Sequence, residues 1–484
     1  MAKRFRYGLL ITLSTLMCLL WSGGFGPLWS RSAQASDPVI QLAQAAGSSR
    51  LAAFVEADQL YRQGDIATAE TRYRELKPEF ATHAVSQVVE PIYEPEALDS
   101  ADVAYWNAAQ QAIAANQTSG AVVALEQLID AEPGFVVAPL QLAEILEEED
   151  RADEALAVLE QAATVHPYSS DIVMAQVEAL ADDGQHLEAS IAARSFAILN
   201  LDHPQAGEFR DRAEDELNTF LNNQRNQNIT DTVIGIGIGT IFGNAPWDST
   251  DNAVDTYERV ARIFQDESAL GGEIADQLKA DYRQSGRLVE DPEIVDYVTQ
   301  LGLEVAQLMG RDLDYEFFVI RDSSINAFAL PGGKIFVNTG AILAANSQAE
   351  LAGLLGHEVA HAVLSHGIQR INKSDILSQL GEQIPYGDIL SNLLSLEYSR
   401  QHERQSDILG TRALATSGYA ADGLRNFMAT LNANTQSNQE EYLSSHPAPA
   451  SRVDYLEELI QLNGYNRYAL EGVDRHQVIQ AKVA

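Results

Sequence analysis

Residues 351–367 read LAGLLGHEVAHAVLSHG. Two histidines, His357 and His361, stand four apart, with Glu358 beside the first. The flanks AELAGLLG and AVLSHG suit a helix, and on a helix positions i and i+4 share one face, a turn apart. That spacing lets both imidazoles reach one tetrahedral zinc ion. Glu358 then stands where its carboxylate can take a proton from a water that the metal acidifies. Five letters also occur by chance on a buried helix with two hydrogen-bonded histidines, so the rest of the chain must supply the missing parts.

A zinc hydrolase needs a third ligand and an open fourth position. Downstream, residues 396–414 read LEYSRQHERQSDILGTRAL. Leu396, Ile408, Leu409 and Leu414 give this stretch a helical apolar pattern. Glu403 and Asp407 are again four apart. Glu403 can be the third ligand, and Asp407, one turn on, can accept the N–H of a ligand histidine. His366 and His402 are also available, but they would face elsewhere on their helices. Read alone, Glu403 is equally a solvated charge among Arg400, Gln401, Arg404 and Gln405.

Upstream of the motif, VDTYERVARIF (254–264) and IVDYVTQLGLEVAQLM (294–309) carry helical periodicity. YEFFVIRD (315–322) reads as a strand, and INAFALPGGKIFVNTGAIL (325–343) as a hairpin turning at Pro331-Gly332-Gly333. Asn326, Ala327, Phe328 and Ala329 would form an edge strand near the metal, where an extended peptide can bind by strand addition. A small mixed sheet with helices on it is an α+β domain.

The first half of the chain repeats. Ala121, Ala155 and Ala189 are spaced by 34 residues, and Pro133 and Pro167 follow the first two at equal distance. Gly64 precedes Ala69 as Gly184 precedes Ala189, which makes YRQGDIATAETRYRELKP an earlier copy. A period of 34 with small residues at the helix crossing is the tetratricopeptide pattern. Residues 84–102 break it and read as a linker or irregular insertion. The apolar, glycine-rich DTVIGIGIGTIFGNAPW reads as a buried connector rather than a loop touching lipid or a partner.

The fold class expected is therefore mostly α: a helical-hairpin, tetratricopeptide-like repeat array, then an α+β zinc metallopeptidase domain. The expected boundaries are a signal peptide at 1–35, repeats at 36–220, a connector at 221–250, the peptidase domain at 251–470 and a tail at 471–484.

Composition narrows the partners. The 484 residues carry 69 acidic and 32 basic side chains, a net charge of −37. Nucleic-acid binding needs basic patches, so no nucleic-acid partner is expected. Lys3, Arg4 and Arg6 precede an apolar run from Leu9 to Trp21, and Ala33-Gln34-Ala35 offers a cleavage site before Ser36. This is the layout of a secretory signal peptide. Gly23, Gly24, Gly26 and Pro27 interrupt the run, which argues against an uncleaved anchor, though that reading stays open. Cys18 is the one cysteine, so a chain cleaved at Ser36 forms no disulfide and must hold any metal with histidines and carboxylates.

Four blocks, NAFALPGGKIFVNTG, LAGLLGHEVAH, YSRQHERQSD and SSHPAPASR, closely resemble the zinc metallopeptidases of the HtpX and BepA type, the family of the prenyl-protein endopeptidases. They stand in family order over about residues 255–460. The resemblance implies one Zn2+ per chain held by His357, His361 and Glu403, with Glu358 as base and Asp407 as the orienting acid. It also points to His446 and Arg452. His446 could donate to the tetrahedral oxyanion, or cap the zinc's open position and hold the enzyme latent. Arg452 could position a substrate carbonyl or brace its loop. The layout resembles the periplasmic BepA-type proteins, with the repeats placed ahead of the peptidase domain instead of behind it. An exported endopeptidase in envelope protein quality control is implied, acting on protein or peptide substrates. The repeats would recruit substrate or an envelope partner, and peripheral membrane contact is open to it. The alternative is a repeat-based chaperone or scaffold with a latent peptidase domain. Residues 375–399, rich in apolar side chains, would be a lid or ordinary core.

Overall fold

The computed structural model describes residues 38–80, 91–241, 267–373, 398–433, 442, 446 and 449–484. The expected signal peptide, most of residues 375–399 and the helix expected at 254–264 lie outside the described residues.

Three helix pairs carry the 34-residue period: α3 (Asp102–Ala114) with α4 (Thr118–Ala131), α5 (Val137–Glu148) with α6 (Ala152–Val165), and α7 (Ser170–Asp182) with α8 (His186–Leu199). Ala121, Ala155 and Ala189 are buried, as are Ala109, Ala143 and Val177 on the partner helices. The turn inside each pair passes through a left-handed residue at the same place: Asn116 (φ 52°), Asp150 (φ 58°) and Gly184 (φ 78°). Asn, Asp and Gly are the residues that reach this conformation at least cost. A long helix, α9 (Ala206–Ile241), packs on α8. It runs through the first part of the glycine-rich stretch expected to be a connector. Each glycine costs a helix about 1 kcal/mol but leaves every backbone hydrogen bond possible, so a helix already started can continue.

An earlier pair, α1 (Pro38–Arg62) and α2 (Ile66–Leu76), has the same left-handed turn at Gly64 (φ 84°). It is clasped to the C-terminal residues. The Asp58 carboxylate accepts the backbone N–H of Glu471 (3.0 Å), Gly472 (3.0 Å) and Val473 (2.7 Å), and the hydroxyl of Tyr73 (2.6 Å). It thus caps the N-terminus of α18 (Val473–Val483), where the first N–H groups have no helical partner. The Lys77 ammonium, buried, reaches Asp422 (2.7 Å) and Glu471 (2.5 Å). Residues 471–484, expected to be a tail, therefore end in a helix, and its His476 is buried against Tyr297 (2.6 Å).

The later half of the chain holds a four-stranded sheet in the order β1-β2-β4-β3. β1 (Leu288–Val289) is antiparallel to β2 (Glu316–Ile320), β2 is parallel to β4 (Lys334–Asn338), and β3 (Ala327–Leu330) is antiparallel to β4. The turn at Pro331–Gly333 forms as expected, with Gly332 and Gly333 both at positive φ. Helices α10 (Glu267–Gln284), α11 (Pro292–Ala306), α12 (Thr339–Ala344) and α13 (Gln348–Val363) pack on the sheet, and α14 (His366–Lys373), α15 (Arg400–Thr416), α16 (Gly423–Ala433) and α17 (Pro449–Leu462) follow. Every residue of α13 is buried. Its start is capped: Ser347 Oγ accepts the N–H of Glu350 (3.2 Å), and Glu350 accepts that of Asn346 (2.9 Å), a variant of the capping box. α13 crosses α15 at Gly356 and Gly410, where a Cβ on Gly410 would stand 2.9 Å from the backbone nitrogen of His357. That close crossing brings the HEVAH helix and the Glu403 helix within reach of one centre.

Candidate metal centre

Four buried donors converge. His357, His361, Glu403 and His446 each offer a ligand atom, and these atoms all lie within 4.8 Å of one another. The Nε2 atoms of His357 and His361 are 3.1 Å apart. Glu403 Oε1 is 3.3 Å from His361 Nε2, and its Oε2 is 3.6 Å from His357 Nε2. His446 Nδ1 stands 2.7 Å from Glu403 Oε1. Lone pairs crowded this closely need a cation or protons between them, and an imidazole–carboxylate set suits zinc.

The next layer fixes these groups. Asp407 Oδ1 is 2.9 Å from His357 Nδ1, so this nitrogen donates and leaves Nε2 free towards the centre. Arg452 is buried and bonds Asp407 through Nε (2.8 Å) and Nη2 (2.6 Å), and Glu403 through Nη1 (2.7 Å). These contacts tie Arg452 to two acids of α15. Tyr398 stacks on His361 at 3.8 Å and Tyr442 on His446 at 4.4 Å. His366 and His402 do not face elsewhere, as their helix positions had suggested. His366 Nδ1 is 3.0 Å from His361 Nδ1, and His402 stacks on His366 at 4.2 Å. They miss the donor set but join its surroundings. Tyr398 and His366 carried no spacing signal that tied them to the motif.

Glu358 is the exception in this network. It is fully buried, and neither carboxylate oxygen has a hydrogen-bond partner among the described residues. His446 Nε2, 3.7 Å from Glu358 Oε1, has none either. Burial pushes the Glu358 carboxyl well above the usual carboxylate range, and the Glu403 charge adds to the rise. Burial also pulls His361 well below the usual imidazole range and His446 down to about 4, against the pull of Glu403. Glu403 itself is held well below: burial opposes this, but His446, Arg452 and His357 outweigh it. Neutral imidazoles and an ionised carboxylate are the protonation states that ligate a metal.

β3 ends the sheet order, so one of its edges is free of strand partners in the described residues. Asn326 O accepts the N–H of Asn338 (2.9 Å), which places Asn326, Phe328 and Leu330 in the bonded register with β4. Ala327 and Ala329 then turn their own N–H and C=O outward. The Asn326 side-chain oxygen is buried and without a partner among the described residues.

Fold and centre together describe an α+β domain with a candidate metal site, preceded by helical repeats. Residues 295–460 match peptidase family M48, and residues 112–177 match the tetratricopeptide repeat. The chain carries both domains: the one the four sequence blocks implied and the repeats that the 34-residue period implied. Among curated relatives, the beta-barrel assembly-enhancing protease of Escherichia coli (strain K12) is 25% identical over 193 residues, 35% of this chain and 40% of that one. The putative beta-barrel assembly-enhancing protease of Vibrio cholerae serotype O1 is 28% identical over 193 residues, with the same coverage. The mitochondrial metalloendopeptidase OMA1 of Arabidopsis thaliana is 33% identical over 151 residues, 30% of this chain and 31% of that one. The chain thus spans 31–40% of the length of these relatives. No helix among the described residues is long and apolar enough to cross a membrane.

Proposed function

We propose that the chain is an exported zinc-dependent endopeptidase that hydrolyses protein substrates in envelope quality control, with the repeats recruiting substrate or partner. The observation that carries this reading is Glu358: a wholly buried carboxyl group left without a hydrogen-bond partner among the described residues, beside a converging His–His–Glu set. A buried orphan of this kind is costly, so a role in chemistry is the reading that accounts for it. His357, His361 and Glu403 would hold zinc. When bound, zinc acidifies a water and polarises the scissile carbonyl. Glu358 would take up the proton from that water and deliver it to the leaving nitrogen. Asp407 holds His357 in one tautomer, and Arg452 holds Asp407 and Glu403 in place. A substrate strand would pair with the outward groups of Ala327 and Ala329, with Asn326 and Phe328 beside it.

His446 supports a second state of the same enzyme. Its Nδ1 lies within the donor set, so in this arrangement it would fill the fourth position and keep the site latent. Moved aside, its ring would donate to the oxyanion. The test pairs metal analysis of the purified chain with casein digestion, comparing wild type and Glu358→Gln. One zinc in both proteins with cleavage by wild type alone is expected, and the loss should be at least about 10²-fold, the low end for a general base. Zinc in both with cleavage by neither favours the latent scaffold, and His446→Ala would then be assayed. Absence of zinc from wild type overturns the site.

A further inference from the structure

The two histidines of the motif are anchored differently. His357 leans on a carboxylate. His361 has no carboxylate on its outer nitrogen among the described residues. Its Nε2 faces His357 Nε2 and Glu403 Oε1, so this nitrogen must present its lone pair to a metal, and Nδ1 must carry the proton. The atom 3.0 Å from that Nδ1 is His366 Nδ1. Two nitrogens at this distance form a hydrogen bond only if one donates and the other accepts. His366 Nδ1 therefore accepts, and its own proton sits on Nε2, which is 3.1 Å from Gln405 Oε1, an acceptor. The relay runs His361 Nδ1–H to His366, then His366 Nε2–H to Gln405. It ends on α15, the helix that carries Glu403.

The surroundings hold His366 to this task. It is fully buried, its ring lies on that of His402 at 16° between planes, and Ser406 Oγ is 3.4 Å from Nδ1. Ser365, just before it, is in the left-handed region at φ 58°. That turn folds His366 back against the last turn of α13. A non-glycine residue held there costs on the order of 1 kcal/mol and persists where its surroundings fix it. The Ser365 hydroxyl receives Arg194 (3.1 Å) and Arg311 (3.0 Å) and donates to Glu267 (3.0 Å).

We propose that His366 is a positioning residue: a neutral imidazole that accepts the Nδ1–H of His361 and thereby fixes the tautomer and ring plane with which His361 meets the metal. This rests on the reading of the centre as a zinc site. Zinc affinity of the full chain, measured by competition with a chromogenic chelator, tests it in three variants. His366→Leu removes the acceptor and should weaken zinc binding about 10–100-fold, the usual effect of losing a ligand's outer partner. His366→Gln keeps an acceptor oxygen and a donor and should recover most of that loss. Gln405→Leu frees the second hydrogen bond and should fall between them, and it carries the test if the His366→Leu variant does not fold. The visible spectrum of the Co2+-loaded chain should shift in His366→Leu and return towards wild type in His366→Gln. A packing role would not separate the variants in this way. Wild-type affinity in His366→Leu, or an equal loss in His366→Gln, overturns the proposal and leaves the zinc site standing. A wild-type chain that takes up no zinc overturns both.

Discussion

Two of the buried charge clusters among the described residues are finished to different degrees. In the clasp, every carboxylate oxygen has a donor. Asp58 takes three backbone N–H groups and a phenol, Asp422 takes Lys77 and Arg467, and Glu471 takes Lys77 and Ser347. In the metal centre, Glu358 takes none among the described residues, and His446 keeps a bare nitrogen. Burying charge is expensive in both places. The satisfied cluster joins distant parts of the chain. On the function proposed above, the unsatisfied one holds its groups for a metal ion and its water.

If this contrast is right, changes in the two clusters should move different observables. The largest effect belongs to the centre. His357→Ala should weaken zinc binding by about 10²–10³-fold, one ligand's share of the roughly 10–16 kcal/mol typical of protein zinc sites. The metal-free chain should unfold at nearly the wild-type urea concentration. A large fall in apo stability would blur the contrast. In the clasp, Lys77→Met leaves Glu471 buried without its cation and Asp422 with Arg467 alone, and should cost about 3–5 kcal/mol in urea unfolding, with zinc affinity unchanged. Smaller again, Asp58→Ala uncaps α18 and should cost about 2 kcal/mol.

The mildest effect is a pH slope. Burial pushes the Glu350 carboxyl up to about 8, against the donors of Asn346, with the Glu471 charge adding to the rise. Between about pH 4.5 and 8 the folded chain therefore holds a proton that the unfolded chain has released. Folding stability should fall as pH rises through this window, by up to about 1.4 kcal/mol per unit. Glu350→Gln should flatten that slope, and an unchanged slope would remove Glu350 as its source.

What the sequence disclosed follows the range of each interaction. HEVAH and the Glu403–Asp407 pair were legible because helix geometry turns a spacing of four into a shared face, whatever the rest of the fold does. The repeats were legible because a 34-residue period and small crossing residues are local properties. The sheet hairpin announced itself through Pro331-Gly332-Gly333. The contact of His366 with His361 was not legible, because it depends on a left-handed turn at Ser365 that the Arg194, Arg311 and Glu267 side chains hold from far along the chain. The helix at 473–483 looked like a tail because its cap, Asp58, lies some four hundred residues away. The helical run to Ile241 was missed because glycine lowers the local preference without forbidding the helix.

The clasp also sets an order of events. Each repeat pair can fold on contacts made within a few dozen residues, as soon as it is synthesised. The first pair cannot finish so early, since Asp58 and Lys77 find their partners only at residues 422–473. Closing a loop of that length carries an entropic cost of about 5 kcal/mol. The helices made first are therefore seated last. Until residues 471–473 arrive, Asp58 waits in water, and its seating marks the moment at which that later segment has been made.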